Sequence, residues 1–341
     1  MTAASSPGYA QAKADFAKFM TAQGLQGLPK IGKPIPTGKN IDFVICGPAE
    51  CVPPSTDFTQ AATILGWHVK VINGGIDPAK NQAAMAQTVR DHPDAVIFEG
   101  LDSAVFKPQL AALKAAHIPV IAWQTTDIPN PPDFLVIPPA TNEHYKLITK
   151  MAAAAAMVAA NGKPNVGAVI IPAFPITNVL AADFKAAYKT YCPSCKLTFY
   201  DMPVASLGVD ATARAVNFVR ANPGINVLVM DGQDSVSLGL KAQLAAAGLS
   251  NIKDIGVYPG TGNLPNLASG AEFALIPDPF VEMGFLDADA LARLFTGQSP
   301  LPDMQTTTPA VIWTSSNLPS ATTQAPTVAN YLATFKALWA K

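Results

Sequence analysis

From Asn40 onward, short apolar runs alternate with segments of helical periodicity. The runs are Ile41–Cys46, His68–Asn73, Ala95–Glu99 and Pro119–Trp123. Between them lie amphipathic stretches over Asp57–Leu65, Pro78–Arg90 and Ala104–Ala116, with apolar residues three and four apart. Punctuation supports the boundaries: Asp77-Pro78 is an N-cap followed by proline at the first helical position, Gly66 closes the first helix and His92-Pro93 the second. Near-continuous apolar strands alternating with helices predict a parallel sheet covered on both faces.

The pattern then repeats. Strands are predicted at Val166–Ile171, Leu197–Tyr200, Val227–Asp231 and Ile252–Val257, and helices at Asn178–Tyr191, Asp210–Ala221 and Ser235–Ala247 before Gly248. Two such halves predict two Rossmann-like α/β lobes. The proline-dense Asp127–Thr141 reads as a crossing between them. A further unit follows: strand Glu272–Ile276, helix Val281–Phe295, an extended Ala310–Trp313 and a last helix Ala325–Lys341. It can return to the first lobe and back, giving three crossings and a hinge. Before Asn40, Tyr9–Ala22 has helical spacing and Gly24–Gly38 reads as an extended linker, together a tether or a strap on the first lobe. The expected division is residues 1–39 as N-terminal helix and linker, 40–138 with 279–306 as the N-lobe, and 139–278 with 307–341 as the C-lobe.

Composition narrows the function. Of 341 residues, 49% are hydrophobic and 14% charged, with a net charge of −1. No basic run offers a footprint for nucleic acid. Mean hydropathy is +0.23, yet no apolar stretch approaches the length of a membrane span, and the Ala-rich Met151–Ala160 reads as a buried helix. Met1–Gly8 lacks the features of an export signal. That fits a cytoplasmic protein, or a mature chain whose signal has been replaced by Met1. The cysteines favour the second. Cys46 with Cys51, and Cys192 with Cys195, form tight local pairs as disulfides of an oxidising compartment do. A four-cysteine zinc site and a redox dithiol at Cys192-Pro193-Ser194-Cys195 are the rivals.

Several motifs, in order, resemble the type I periplasmic binding proteins of the ribose/galactose-binding cluster. They are Leu65-Gly66-Trp67-His68-Val69-Lys70-Val71, Asp77-Pro78-Ala79-Lys80-Asn81-Gln82, His117-Ile118-Pro119-Val120-Ile121, and Gly232-Gln233-Asp234 before a helix containing Gly239. The cysteine pairs and N-terminal helix resemble an exported, lipid-anchored Gram-positive branch. The resemblance spans roughly Asn40 to Leu318. It implies two lobes joined by a three-segment hinge, a small-molecule ligand held between them, no cofactor, a monomer, and delivery to the membrane permease of an ABC importer. It places the protein outside the cytoplasm, periplasmic or anchored at the cell surface. Sugar-responsive repressors share the fold but carry an N-terminal helix-turn-helix, for which Met1–Ile31 offers one helix and then prolines. A ligand sensor for a membrane receptor and a secreted C-x-x-C redox protein are the alternatives. No Gly-x-Ser-x-Gly elbow or converging acid–base pair suggests an enzyme.

In this fold, ligands sit at the carboxyl ends of the strands. The residues expected there are Glu50, Asp102, Trp123, Gln124, Asn142, Phe174, Asn178, Gln233, Asp234, Tyr258 and Asp278. Where simple-sugar binders of the family place an Asp-Arg pair, this chain has Gln124 and Thr125. Their Arg near Asn178 and Asp near Pro259 are also missing. The acids Glu50, Asp102, Asp234 and Asp278 lack an obvious basic partner, so the expected ligand is neutral or cationic with apolar faces: an aromatic compound, a polyol or a glycoside. Trp123, Phe174 and Tyr258 are each either a stacking wall for a ring or a core aromatic. Asp102 is either a ligand contact or a helix cap, and Asp278 either a ligand contact or a hinge residue. His92 and His144 read as solvated histidines on helix edges.

Overall fold

The computed structural model describes residues 7–22, 25, 27–47, 51–75, 77–138, 143–231, 237–306, 308, 310–323, 325–328 and 330–340. The first sheet is built from β1 (Asn40–Ile45), β2 (His68–Asn73), β3 (Ala95–Glu99), β4 (Val120–Trp123) and β5 (Phe134–Val136) in the order β2-β1-β3-β4-β5. The second uses β6 (Val166–Ile170), β7 (Leu197–Asp201), β8 (Val227–Asp231), β9 (Lys253–Val257) and β10 (Ala274–Ile276) in the order β7-β6-β8-β9-β10. All named pairings are parallel, and both sheets follow the same winding. The chain is therefore α/β with two Rossmann-like lobes.

Alternation along each strand divides the first lobe into two cores. Phe43, Ile97, Ile121 and Trp123 face α2 (Val52–Ile64) and α10 (Phe280–Phe295), while Val44, Val96, Phe98 and Ala122 face the side of Met85 and Leu113, on α3 (Pro78–Asp91) and α4 (Lys107–Ala115). Asp77 caps α3 as expected, accepting the Ala79 N–H at 2.7 Å. Helices α2 and α10 touch at Gly284, where a Cβ would stand 2.6 Å from the Phe58 backbone nitrogen. In the second lobe, α5 (Glu143–Ala159) is buried along most of its length. Its Ala152–Ala156 run lets it lie close to the sheet and to α6 (Pro175–Tyr191). Helices α7 (Ala211–Ala221) and α8 (Leu240–Ala246) cover the other face, and the short α9 (Leu264–Ala268) packs beside β10.

The termini depart from the expected division. Helix α1 (Tyr9–Phe19) packs on α5 of the second lobe, with Ala12 and Phe19 in that core, rather than on the first. Only the linker, through Leu25, Leu28, Ile31 and Ile35, lies on the first lobe. After α11 (Leu301–Gln305), Ala310–Trp313 joins the second lobe through a single bridge to Leu275 and not as a sheet strand. Helix α12 (Tyr331–Trp339), shorter than expected, returns to the first lobe, where Phe335 and Leu338 are buried against α10. Residues 307–341 thus serve both lobes. The proline-dense crossing also hides β5, which completes the first sheet before the chain leaves it.

Two acids meet between α2 and α10. Burial, reinforced by the nearby Glu282 charge, pushes Asp57 up to about 7 from 3.8. Because the folded-state value is the higher one, the penalty on folding is absent below 3.8 and grows as pH rises toward about 7. Asp57→Asn should therefore stabilise the protein at pH 8 by up to about 4 kcal/mol and scarcely at all at about pH 4. Urea titrations at the two pH values measure the difference; an equal effect at both contradicts it.

Candidate functional site

Parallel strands end on the same side of each sheet, and here the two sets of ends face one another across the crossings. Phe174, the residue before α6, is half-buried and packs against the cores of both lobes. Its ring approaches Gly100 at the end of β3. A Cβ there would stand 3.4 Å from the Phe174 ring and 2.9 Å from Cys46 Cβ, and the backbone φ of +82° also favours glycine. Beneath this contact runs an aromatic column. Trp123 of β4 stacks on Phe280 of α10 (6.2 Å, 22°), and Phe280 stacks on Tyr258 beyond β9 (6.4 Å, 29°). Gln124 and Tyr258 hold positive φ values of 48° and 55°, the kind of backbone strain that collects at functional sites.

A buried polar network ties the crossings together. Asp278 accepts a hydrogen bond from Gln124 Nε2 at 3.2 Å and pairs with His144 Nε2 at 3.0 Å. The other ring nitrogen of His144 is hydrogen-bonded to the Thr308 hydroxyl. Four segments meet here: the end of β4, the passage into α10, the start of α5 and the passage after α11. His144 is fully buried, not solvated, because the first turn of α5 enters the protein at the hinge. The fully buried Tyr145 beside it has its hydroxyl pushed well up, by burial and by the Asp278 charge.

Glu99 lies one strand over from Trp123, since the two are paired in the β3–β4 register. Its carboxyl is buried, accepts the Cys46 N–H at 3.3 Å and lies within 4.8 Å of both sulfurs of the Cys46–Cys51 disulfide. Burial pushes it well above the usual carboxylate range, and Asp287 of α10 adds to the rise. Asp287 is raised by burial too, with the Trp123 indole N–H opposing. The second disulfide, Cys192–Cys195, closes the end of α6. All four cysteines are therefore bonded, which removes the zinc alternative.

The sequence-predicted residues divide clearly. Trp123 takes the core role: it is 0% exposed, with its face on Phe280 and Phe43 edge-on at 6.4 Å. Asp102 is neither a side-chain cap nor free for a ligand, because its carboxylate holds the Thr126 N–H at 2.8 Å and hydroxyl at 2.5 Å. Gln124 and Asp278 are hydrogen-bonded to each other, and Phe174 packs against the core cluster that contains the buried Tyr258. Asn178 is exposed in the first turn of α6. Glu50, Asn142, Gln233 and Asp234 lie outside the described residues. Sequence reasoning missed Phe280, Thr308 and Asp287. Only Phe280 carried a signal, an aromatic directly after Asp278-Pro279.

Residues 56–283 match the family described as periplasmic binding proteins and sugar binding domain of LacI family. The chain belongs to this family. Its members bind solutes and are not enzymes, and this protein is a binding protein of that kind. No curated protein sequence matches the chain. Among solved structures it is similar to an ABC sugar transporter subunit from Rhodobacter sphaeroides, with 18% identity, a TM-score of 0.67, and coverage of 82% of this chain and 99% of that one. An ABC transporter solute-binding protein from Agrobacterium vitis with bound allitol gives 18% identity and a TM-score of 0.66, covering 83% and 97%. One from Mycobacterium smegmatis with bound glycerol gives 16% and 0.69, covering 85% and 98%. Among the described residues, no helix of this binding protein is long and apolar enough to cross a membrane.

Proposed function

We propose that the protein is the extracytoplasmic substrate-binding component of an ABC importer and that it takes a neutral or cationic ligand, foremost a polyol or glycoside, between its lobes. The observation that carries this reading is the composition of the inter-lobe cluster. Gln124, Phe174, Tyr258 and Asp278 supply aromatic faces, an amide and a carboxylate, with no lysine or arginine among them. Aromatic faces suit the CH-rich faces of polyols, and an amide oxygen such as that of Gln124 accepts hydroxyl or ammonium hydrogens. Asp278, buried and paired with His144 and Gln124, holds the Gln124 amide in place. The bound allitol and glycerol of the solved relatives support the polyol class. Lobe closure excludes water from the ligand, and a membrane permease would read the closed form.

A thermal-shift screen over sugars, polyols, aromatic compounds, amines and organic acids tests the reading. A true ligand at about 100 times its Kd should add roughly 2.7 kcal/mol of stability. Responses from neutral or cationic compounds support the proposal. A response from organic acids alone overturns it.

A further inference from the structure

The two chain termini do more than cover the lobes. The N-terminal segment is fixed to the second lobe at one end and the first at the other. On the second lobe, Asp15 of α1 accepts a hydrogen bond from the Tyr191 hydroxyl at 2.6 Å and pairs with Lys150 at 3.2 Å. On the first, Arg293 of α10 donates to the Pro29 carbonyl at 2.6 Å, and Gln298 Nε2 donates to the Ile31 carbonyl at 2.8 Å. The C-terminal segment makes the same journey. Leu318 and Ala325 pack on the second lobe beside Leu264 and Leu267. Thr327 and Val328 then donate to the buried Glu282 carboxylate of α10 at 2.9 and 2.7 Å, and the Trp339 indole N–H donates to Asp289 at 2.7 Å.

The segments are also bonded to each other on both sides of the hinge. On the second lobe, the Ile312 N–H donates to the Phe19 carbonyl at 2.8 Å, and the Asn317 amide to the Met20 carbonyl at 2.9 Å. On the first, the Ile31 N–H donates to the Leu338 carbonyl at 3.1 Å. Two straps, joined at each end, thus link the lobes in addition to the three crossings that connect β5 with α5, β10 with α10, and α11 with Ala310. The free length of each is short: the N-terminal strap leaves the second lobe at Met20 and meets the first at Leu25, and the C-terminal strap leaves at Ala325 and meets α10 through Thr327. The compared structures are matched over 97–99% of their own length by 82–85% of this chain, so the straps fall in a protein longer than those relatives.

We infer that these paired terminal straps limit how far the two lobes swing apart, and so set the balance between open and closed forms. A hinge of three crossings bends freely, because its residues need only absorb backbone rotations. A short strap anchored by buried groups on both sides must stretch or detach before the lobes separate widely. The free protein is then held near its binding-competent arrangement, which lowers the conformational cost of capture.

The test lengthens the straps without removing any anchor, and needs no ligand, so its outcome is independent of the ligand class proposed above. Six Gly/Ser residues are inserted after Ala22, after Pro326, or at both places; such an insert spans about 13 Å on average. Spin labels go on Ile128→Cys and Val209→Cys, which are 82% and 83% exposed on opposite lobes, while the native cysteines are all disulfide-bonded. Pulsed dipolar spectroscopy on the full-length free protein then reads the lobe separation. Longer and broader distances in the double insertion than in the parent support the inference. A smaller change of the same sign is expected for Asn317→Ala, which cuts one tie between the straps and keeps chain length. Unchanged distance distributions in the double insertion and in Asn317→Ala overturn it.

Discussion

Trp123→Ala should destabilise the fold by about 3–5 kcal/mol, the range for removing a large aromatic from a packed interior. The indole is fully buried between the first sheet and α10, stacked on Phe280 and met edge-on by Phe43. Its removal opens a void where the first lobe meets the passage into α10, and neighbouring strands and helices cannot collapse to fill it. It also takes away the N–H that opposes the rise in Asp287. Trp123→Phe, which keeps a ring in the column, should lose less than half as much. Urea unfolding followed by circular dichroism measures both. A loss below about 1 kcal/mol for the alanine variant would show that the indole is not a supporting element of the core.

Arg293→Met should be comparably damaging. The guanidinium is 2% exposed and pairs with Asp289 at 2.7 Å and Asp303 at 3.0 Å while holding the Pro29 carbonyl. Burial and the neighbouring Asp289 both push Asp303 well up, so Arg293 is the group that makes two carboxyls tolerable in one dry site. Removing one partner from a buried ionic cluster typically costs about 3–5 kcal/mol, because the remaining charge has no compensation. Adding Asp303→Asn to Arg293→Met should recover part of the loss by removing a carboxyl that no longer has a cation. Chemical unfolding of the single and double variants decides the matter. A double variant less stable than the single one would contradict the electrostatic account.

The repeat was legible because each strand is an apolar run and each helix carries its own caps. Asp77-Pro78 and Gly66 mark boundaries through local backbone chemistry, and the structure keeps them. Strand β5 was hidden because Phe134–Val136 has only three residues and sits among prolines, where turn signals dominate. The termini were misplaced for a different reason. The partners of α1 and α12 lie far away in sequence, and periodicity tells which face is apolar but not which lobe covers it. The same limit applies at the site. Gln124 and Asp278 could be named because the fold dictates where strands end, and they are hydrogen-bonded to each other. His144 could not be read correctly, because its burial comes from Asp278 and Thr308, contributed by separate passages of chain.

All of this depends on the two lobes drawing together around a solute. Small-angle X-ray scattering of the protein, alone and saturated with a compound found in the thermal-shift screen, measures that directly. A smaller radius of gyration in the complex, with one ligand bound per chain, is the predicted result. A ligand that binds tightly and leaves the scattering curve unchanged would contradict capture by closure.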